Sequence, residues 1–435
     1  MTNQALDPRE NIEDLARFVE ASPTSYHAAH SVAERLAATG FTELKEDEPW
    51  GSEVADGKHF VVRDGAVIAW ISGSGGAGSG YRVLGAHTDS PSFKVKPKSS
   101  LKNFGWNQVG VEVYGGALLN SWLDRELRLA GRLTVRLGSQ LRDVLVSTGP
   151  LARIPQLAIH LDRSANDGLK LDRQNNLYPV WGASTVEADV LGYVAEHGTA
   201  EQINAADIVG YDLLFADTQP PRTFGAQEEF FASGRLDNLS SVHAGMTALQ
   251  RLAASGQQLE QTVMLAAFDH EELGSQSRSG ACGPFLEDVL VRISTARGES
   301  AEEYRRSLAS SVCLSSDAGH LVHPNYAGHH DVANRPEAGA GPLLKINANQ
   351  RYATDSVGAG IFALACDRAG VPYQEFVSNN NVPCGSTIGP LTATRLGMRT
   401  IDVGVGLLSM HSVREMCHVD DMAYLARAIE GFFTL

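Results

Sequence analysis

Apolar residues first recur at helical spacing, over residues 9–40. Leu15, Phe18 and Val19 share one face, followed by Ala28, Val32 and Leu36, and Gly40 marks a stop. Short apolar runs at 59–63, 66–71 and 81–86 predict strands. From about 95 to 225 the texture changes: VGVEVYGG, LAGRLTVRL and RDVLVSTG are short, alternating and punctuated by glycine, which predicts a β-rich insert. After about 232 the pattern predicts a helix at 238–254, the strand TVMLAAF, the strand VCLSSDAG at 312–319 and a helix at 356–369. YQEFVS, a helix from near Ser386, the strand MRTIDVGV and a helix at 421–433 follow. Strands alternating with helices predict an α/β fold whose mostly parallel central sheet is covered by helices. The implied division is a discontinuous α/β domain, 1–94 and 231–435, around an inserted β-rich domain, 95–230.

GSGGAGSG at 73–80 contains the spacing Gly73, Gly75, Gly78 of a dinucleotide fingerprint. That fingerprint needs a helix directly afterwards, and YRVLGAH is strand-like, so a hairpin loop is expected. The 435 residues exceed one ordinary core. A net charge of −15 and the lack of a basic stripe argue against a nucleic-acid partner. Phe104, Trp106 and Tyr114 lie near lysines but read as strand packing. The polar N-terminal stretch lacks a signal-peptide layout, and no apolar run approaches the ~18 residues of a membrane span. Cys282, Cys313, Cys366, Cys384 and Cys417 are odd in number, widely spaced and form no CxxC, which suggests free thiols in a reducing cytoplasm.

The polar residues that end the predicted strands carry the chemistry. YRVLGA runs into His87, Thr88 and Asp89, and TVMLAAF into Asp269, His270, Glu271 and Glu272. VCLSS runs into Asp317, GRLDN puts Asp237 before a helix, and MRTIDVGVGLLSM leads to His411. Open α/β sheets bind ligands outside the carboxyl ends of their strands, so these residues could converge. Histidine with carboxylates and no cysteine suits zinc or a similar dication. Taken singly, a strand-end aspartate is a cap or turn former, and HEEL is not HExxH because Gly274 stands where the second histidine would be. On an extended chain Glu271 and Glu272 would face opposite ways and do different jobs.

The stretches GAHTDSPSFKVKP, NSWLDREL, LAIHLDR, SGRLDNLSS, FDHEELGS, SSDAGHLVHPNY, LKINANQRYATD, PCGSTIGP and LLSMHSVRE run in order from residue 85 to 415. Together they resemble the aspartyl aminopeptidases, two-zinc exopeptidases that form tetrahedral dodecamers built from dimers. The resemblance implies that Asp237 bridges two zinc ions, with manganese or cobalt as substitutes. His87 and Asp317 would complete one site, and Glu272 and His411 the other. Glu271 would be the catalytic base, and Asp89 would hold His87 in place. Three carboxylates in one cleft would repel without cations, which two dications and a bridging hydroxide would balance.

The resemblance also implies peptide substrates with acidic N-terminal residues, and Lys345 in LKINANQRYATD is the candidate for meeting the acidic side chain, against its reading as a surface lysine. The resemblance further implies that His160 reaches a neighbouring subunit's site and that the insert mediates dimer contacts. One departure stands out: many relatives carry Arg-Asn-Asp where this chain has Asn379, Asn380 and Asn381. That loses an arginine and a carboxylate and leaves the acidic preference less secure than the aminopeptidase activity. Ser386 and Thr387 could meet an anion at a helix start or act as plain caps. Rival readings are another two-metal hydrolase on the same scaffold, or an assembly subunit that kept the fold and lost the chemistry.

Overall fold

The computed structural model describes residues 6–183, 185 and 189–435. The first helical stretch is two helices, Pro8–Ala21 and Ser25–Ala37, rather than one. Asp7 caps the first by accepting from the amides of Arg9 and Glu10, with Pro8 in the opening position where no amide is needed. Pro23 lies in the break, since proline removes an amide donor and pushes the preceding residue out of the helical region.

Nine strands form the central sheet. Their spatial order is Thr42–Glu43, Lys58–Arg63, Ala66–Ile71, Thr262–Phe268, Tyr81–His87, Val312–Ser316, Arg399–Gly404, Leu343–Ile346 and Gln374–Val377. The four strands from Thr262–Phe268 to Arg399–Gly404 run parallel to one another. Both faces are covered, which is why TVMLAAF reads as one continuous apolar run. Val263, Leu265 and Ala267 enter one core cluster with the helices Leu236–Ser255 and Val419–Phe433. Met264, Ala266 and Phe268 enter the other, with the helix Phe285–Ala296 and Leu308 of the helix Ala301–Ser310. Gly245 lets the helix Leu236–Ser255 lie close on the sheet, because a Cβ there would come within 2.3 Å of Leu84.

The stretch 73–80 is not a hairpin loop. The strands it joins, Ala66–Ile71 and Tyr81–His87, both pair with Thr262–Phe268, which lies between them. The loop crosses that strand's entry, where Ser74 and Gly75 donate to the carbonyls of Leu259 and Glu260.

Residues 92–217 carry a second, antiparallel sheet of six strands: Gln140–Ser147, Leu127–Leu137, Ile208–Asp217, Ser92–Asn103, Trp106–Tyr114 and Val180–Ala183. It has its own apolar cluster, including Phe93, Trp122, Leu129 and Phe215. Phe104 does not pack as expected. It sits at the tip of the first hairpin, 95% exposed, and Trp106 beside it is 55% exposed. No described helix is long and apolar enough to cross a membrane. The five cysteines are free.

Candidate metal centre

The carboxyl ends of the parallel strands bring the predicted residues together. His87 is the last residue of Tyr81–His87, Asp317 follows Val312–Ser316, and the Glu271–Glu272 pair follows Thr262–Phe268. Asp237 stands at the start of the helix Leu236–Ser255, where its own backbone is not helical. His411 comes from the loop after the short strand Gly406–Leu407, which follows Arg399–Gly404.

Asp237 is at the middle. Its Oδ1 lies 3.3 Å from His87 Nε2, and its Oδ2 lies 3.2 Å from His411 Nε2. Asp317 stands on the His87 side, 3.6 Å from the same Nε2, and Glu272 on the His411 side, 3.5 Å from that Nε2. Ligand atoms of His87, Asp237 and Glu272 all lie within 4.8 Å of one another.

Both imidazoles are oriented the same way by backbone carbonyls. His87 Nδ1 faces the Asp89 carbonyl at 3.1 Å, and His411 Nδ1 faces the Gly116 carbonyl at 3.1 Å. A carbonyl only accepts, so Nδ1 carries the proton and Nε2 is left for the cluster. Gly116 must be small for this approach, since a Cβ there would lie 3.3 Å from His411 Nδ1.

The carboxylates are in conflict when left to themselves. Burial first, then the charge of Asp237, raises Glu272 well above the ordinary range. Burial, with the charges of Asp317, Asp89 and Asp237 outweighing His87, pushes Glu271 up to about 8. Burial opposes the charged form of His411, but Asp237 and Glu272 outweigh it and raise that imidazole to about 10. Asp237 Oδ1 and Glu272 Oε1 are buried without a hydrogen-bond partner. Orphaned buried acceptors beside imidazole nitrogens, with no thiolate among them, fit zinc or a similar dication.

The Glu271–Glu272 pair does not lie on an extended chain. The strand ends at Phe268, and Glu271–Leu273 form a single 3-10 turn entered through His270, whose φ is +63°. Strand alternation therefore does not separate the two side chains; the turn does. Glu272 meets His411, whereas among the described residues no ion pair at that range holds Glu271, whose carboxylate feels His87 and Asp317. Asp269 and His270 stay out of the cluster, His270 pairing with Ser277 at 2.9 Å.

Asp89 does more than face His87. Its Oδ1 lies 3.3 Å from His87 Nδ1 and accepts the Glu271 amide at 3.0 Å. Its Oδ2 accepts the Glu272 amide at 3.1 Å and the Tyr114 hydroxyl at 2.9 Å. Lys345 is buried, and its Nζ donates to the Ala318 carbonyl at 2.8 Å, one residue beyond Asp317. His160 lies apart from the cluster in an exposed turn between the exposed Ile159 and Leu161. Asn379 donates to the carbonyls of Gly328 and His330. Thr387 is a cap, accepting from the Gly389 amide and donating to the buried Asp402.

Three supporting residues escaped the reading of the sequence: Tyr114, Gly116 and Glu415. Glu415 is fully buried and accepts the backbone amides of Asp237 at 2.9 Å and His411 at 2.7 Å. Its place four residues after His411 in LLSMHSVRE was the one available signal.

The family described as "Aminopeptidase I zinc metalloprotease (M18)" matches residues 18–433. A probable M18 family aminopeptidase 2 of Streptomyces coelicolor is 50% identical over 429 residues, covering 98% of each chain. Among solved structures, one titled as the Ape4 and Nbr1 complex superposes with a TM-score of 0.94 at 36% identity, over 98% of this chain and 86% of that one. The mApe1 dodecamer of S. cerevisiae gives a TM-score of 0.84 at 29% identity, over 97% of this chain and 96% of that one.

Proposed function

The chain belongs to the M18 family of zinc aminopeptidases, and we propose that it is a two-zinc member that removes acidic residues, Asp or Glu, from peptide N-termini. One observation carries the two-ion reading: the two oxygens of Asp237 face different imidazoles, at 3.3 and 3.2 Å. His87 and Asp317 would hold one ion, Glu272 and His411 the other, and Asp237 would span both. Bound zinc supplies a Lewis acid for the scissile carbonyl and lowers the pKa of water, and manganese or cobalt could substitute.

The chain's own groups then do the proton work. Glu271 takes a proton from the attacking water and delivers it to the leaving amine nitrogen. Among the described residues it has no close ion-pair partner, which leaves the carboxylate free for that task. Asp89 fixes the Glu271 and Glu272 amides and the face of His87, so the base and its neighbouring ligand move together.

Lys345 supports the acidic preference. Its ammonium is buried near Asp317, donates to one carbonyl, and has no described carboxylate within ion-pair range. Two of its three donors remain for a substrate carboxylate. Asn379 to Asn381 supply no charge, so Lys345 would bear that selectivity alone. The exposed turn at His160 suits a role in a neighbouring subunit's site. A homo-oligomer built from dimers through the insert, as a tetrahedral dodecamer, is consistent with the assembly of the similar S. cerevisiae protein. Free thiols suit the cytoplasm.

A peptide panel differing only at the N-terminal residue, with zinc counted in the same sample, tests the reading. Two zinc ions per chain and a kcat/KM favouring Asp and Glu over Leu are expected. Equal values for Glu and Leu would remove the acidic assignment, and one zinc per chain would remove the two-ion centre.

A further inference from the structure

A cavity of about 370 Å³ lies between the catalytic body and the inserted sheet, within the roughly 300–1,000 Å³ of small-ligand pockets. It is distinct from the metal-facing side of the site. Of the five proposed ligands only Asp237 borders it; Glu271 and Lys345 do not. Asp89, Tyr114 and Glu415 form its inner wall, and Arg128 enters from the strand Leu127–Leu137 of the insert.

Arg128 is unusual among the charged groups there. Arg125 is paired with Asp217 at 2.6 Å and Lys94 with Asp212 at 2.8 Å. Arg128 forms no such pair among the described residues, and its Nε is buried without a hydrogen-bond partner. A second cation in the wall, Arg235, donates to the carbonyls of Ser22 and Thr88 and pairs with no carboxylate among the described residues. Nearby His27 registers both. Burial first, then the charges of Arg235, His30 and Arg128, pull its pKa down to about 4.

The anionic groups of the wall do not cancel this charge. Asp89 is engaged by His87, Tyr114 and two amides, Asp237 by His87 and His411, Glu415 by two amides, and Asp217 by Arg125. Glu20 is exposed. A guanidinium in the cavity wall, with no carboxylate in ion-pair range among the described residues, matches an oxyanion from outside.

We propose that this cavity binds a small oxyanion-bearing molecule, a carboxylate or phosphate compound of up to about dipeptide size, through Arg128. The site does not depend on which N-terminal residue the enzyme prefers. Its inner wall holds the carboxylates that position Asp237, His411 and the Glu271 amide, so an occupant changes turnover without competing for the peptide.

The test uses the zinc-loaded enzyme with succinate and inorganic phosphate as separate probes, in wild type, Arg128→Gln and Arg128→Lys. Calorimetry reads binding, and peptide kinetics read the mode of the effect. The expected result is a binding heat for at least one probe and a change in kcat that saturating peptide does not reverse. In Arg128→Gln the binding weakens about tenfold to a hundredfold, the loss of a charge-assisted pair. Arg128→Lys retains part of it, and unchanged melting of both variants shows that folding is intact. A response to succinate alone identifies a carboxylate ligand, and a response to phosphate alone a phosphate ligand. Purely competitive inhibition that is the same in Arg128→Gln places the anion on the metals and overturns the proposal. Absence of any binding heat at millimolar anion also overturns it.

Discussion

Glu415→Gln isolates the contribution of a residue that need not touch metal or substrate. In the wild-type chain one carboxylate accepts the amides of Asp237 and His411, at 2.9 and 2.7 Å, in a fully buried position. Glutamine has nearly the same shape but only one acceptor oxygen. One of the two amides then faces an NH₂ group and loses its partner. A hydrogen bond to a charged group contributes about 1.5–3 kcal/mol. If the whole loss falls on the metal-loaded state, zinc affinity drops by roughly tenfold to a hundredfold, the range seen when groups supporting metal ligands are removed. Competition against a chelator of known affinity measures this directly. Turnover at saturating zinc should fall much less than the affinity, because the base and substrate groups are untouched. Zinc affinity equal to wild type in a folded Glu415→Gln protein would refute the reasoning. So would a loss confined to kcat.

Two further outcomes follow from the same geometry. Glu271→Gln should bind zinc normally and lose turnover by about 10²–10⁴, the usual contribution of general acid–base catalysis; kcat measured beside zinc content decides it, and near-normal kcat in the zinc-loaded variant would exclude Glu271 as the base. The zinc-free site should hold protons that zinc expels. His411 is raised to about 10 and so is protonated at neutral pH until cations arrive, and His87 and Glu272 are both raised well above their usual values. Ligation needs the deprotonated forms, so apparent zinc affinity falls as pH falls. Calorimetry in two buffers of different ionisation enthalpy reads the proton release, and identical heats in the two would contradict it.

The Glu271–Glu272 pair shows local structure overriding an argument from strand alternation. Strand alternation was the reason to separate the two roles, yet the pair lies in a 3-10 turn. The turn sends one carboxylate to His411 and leaves the other where it feels the charges of His87 and Asp317. The amino-terminal helix pair teaches the opposite lesson. Apolar spacing was continuous enough to suggest one helix, and Pro23, plainly written in the chain, was the better guide to its break.

The sequence by itself determined the covered sheet and the strand-end residues. Continuous apolar runs can only be buried on both faces, and the ends of adjacent parallel strands are bound to meet. His87, Glu272 and Asp317 stood out for that reason, Asp237 stood before a helix and His411 in a loop, and the ligand roles of all five rested on the family resemblance. The tertiary structure alone decided what holds them. Gly116 orients His411 from 295 residues away, and Tyr114 reaches Asp89 from the first hairpin of the insert. Glu415 grips the backbone of Asp237 across 178 residues. These contacts are made largely through backbone groups, which every residue carries, so no side-chain pattern announces them. The cavity beside Arg128 belongs to the same class, because whether an arginine has a partner is settled only when the two sheets meet.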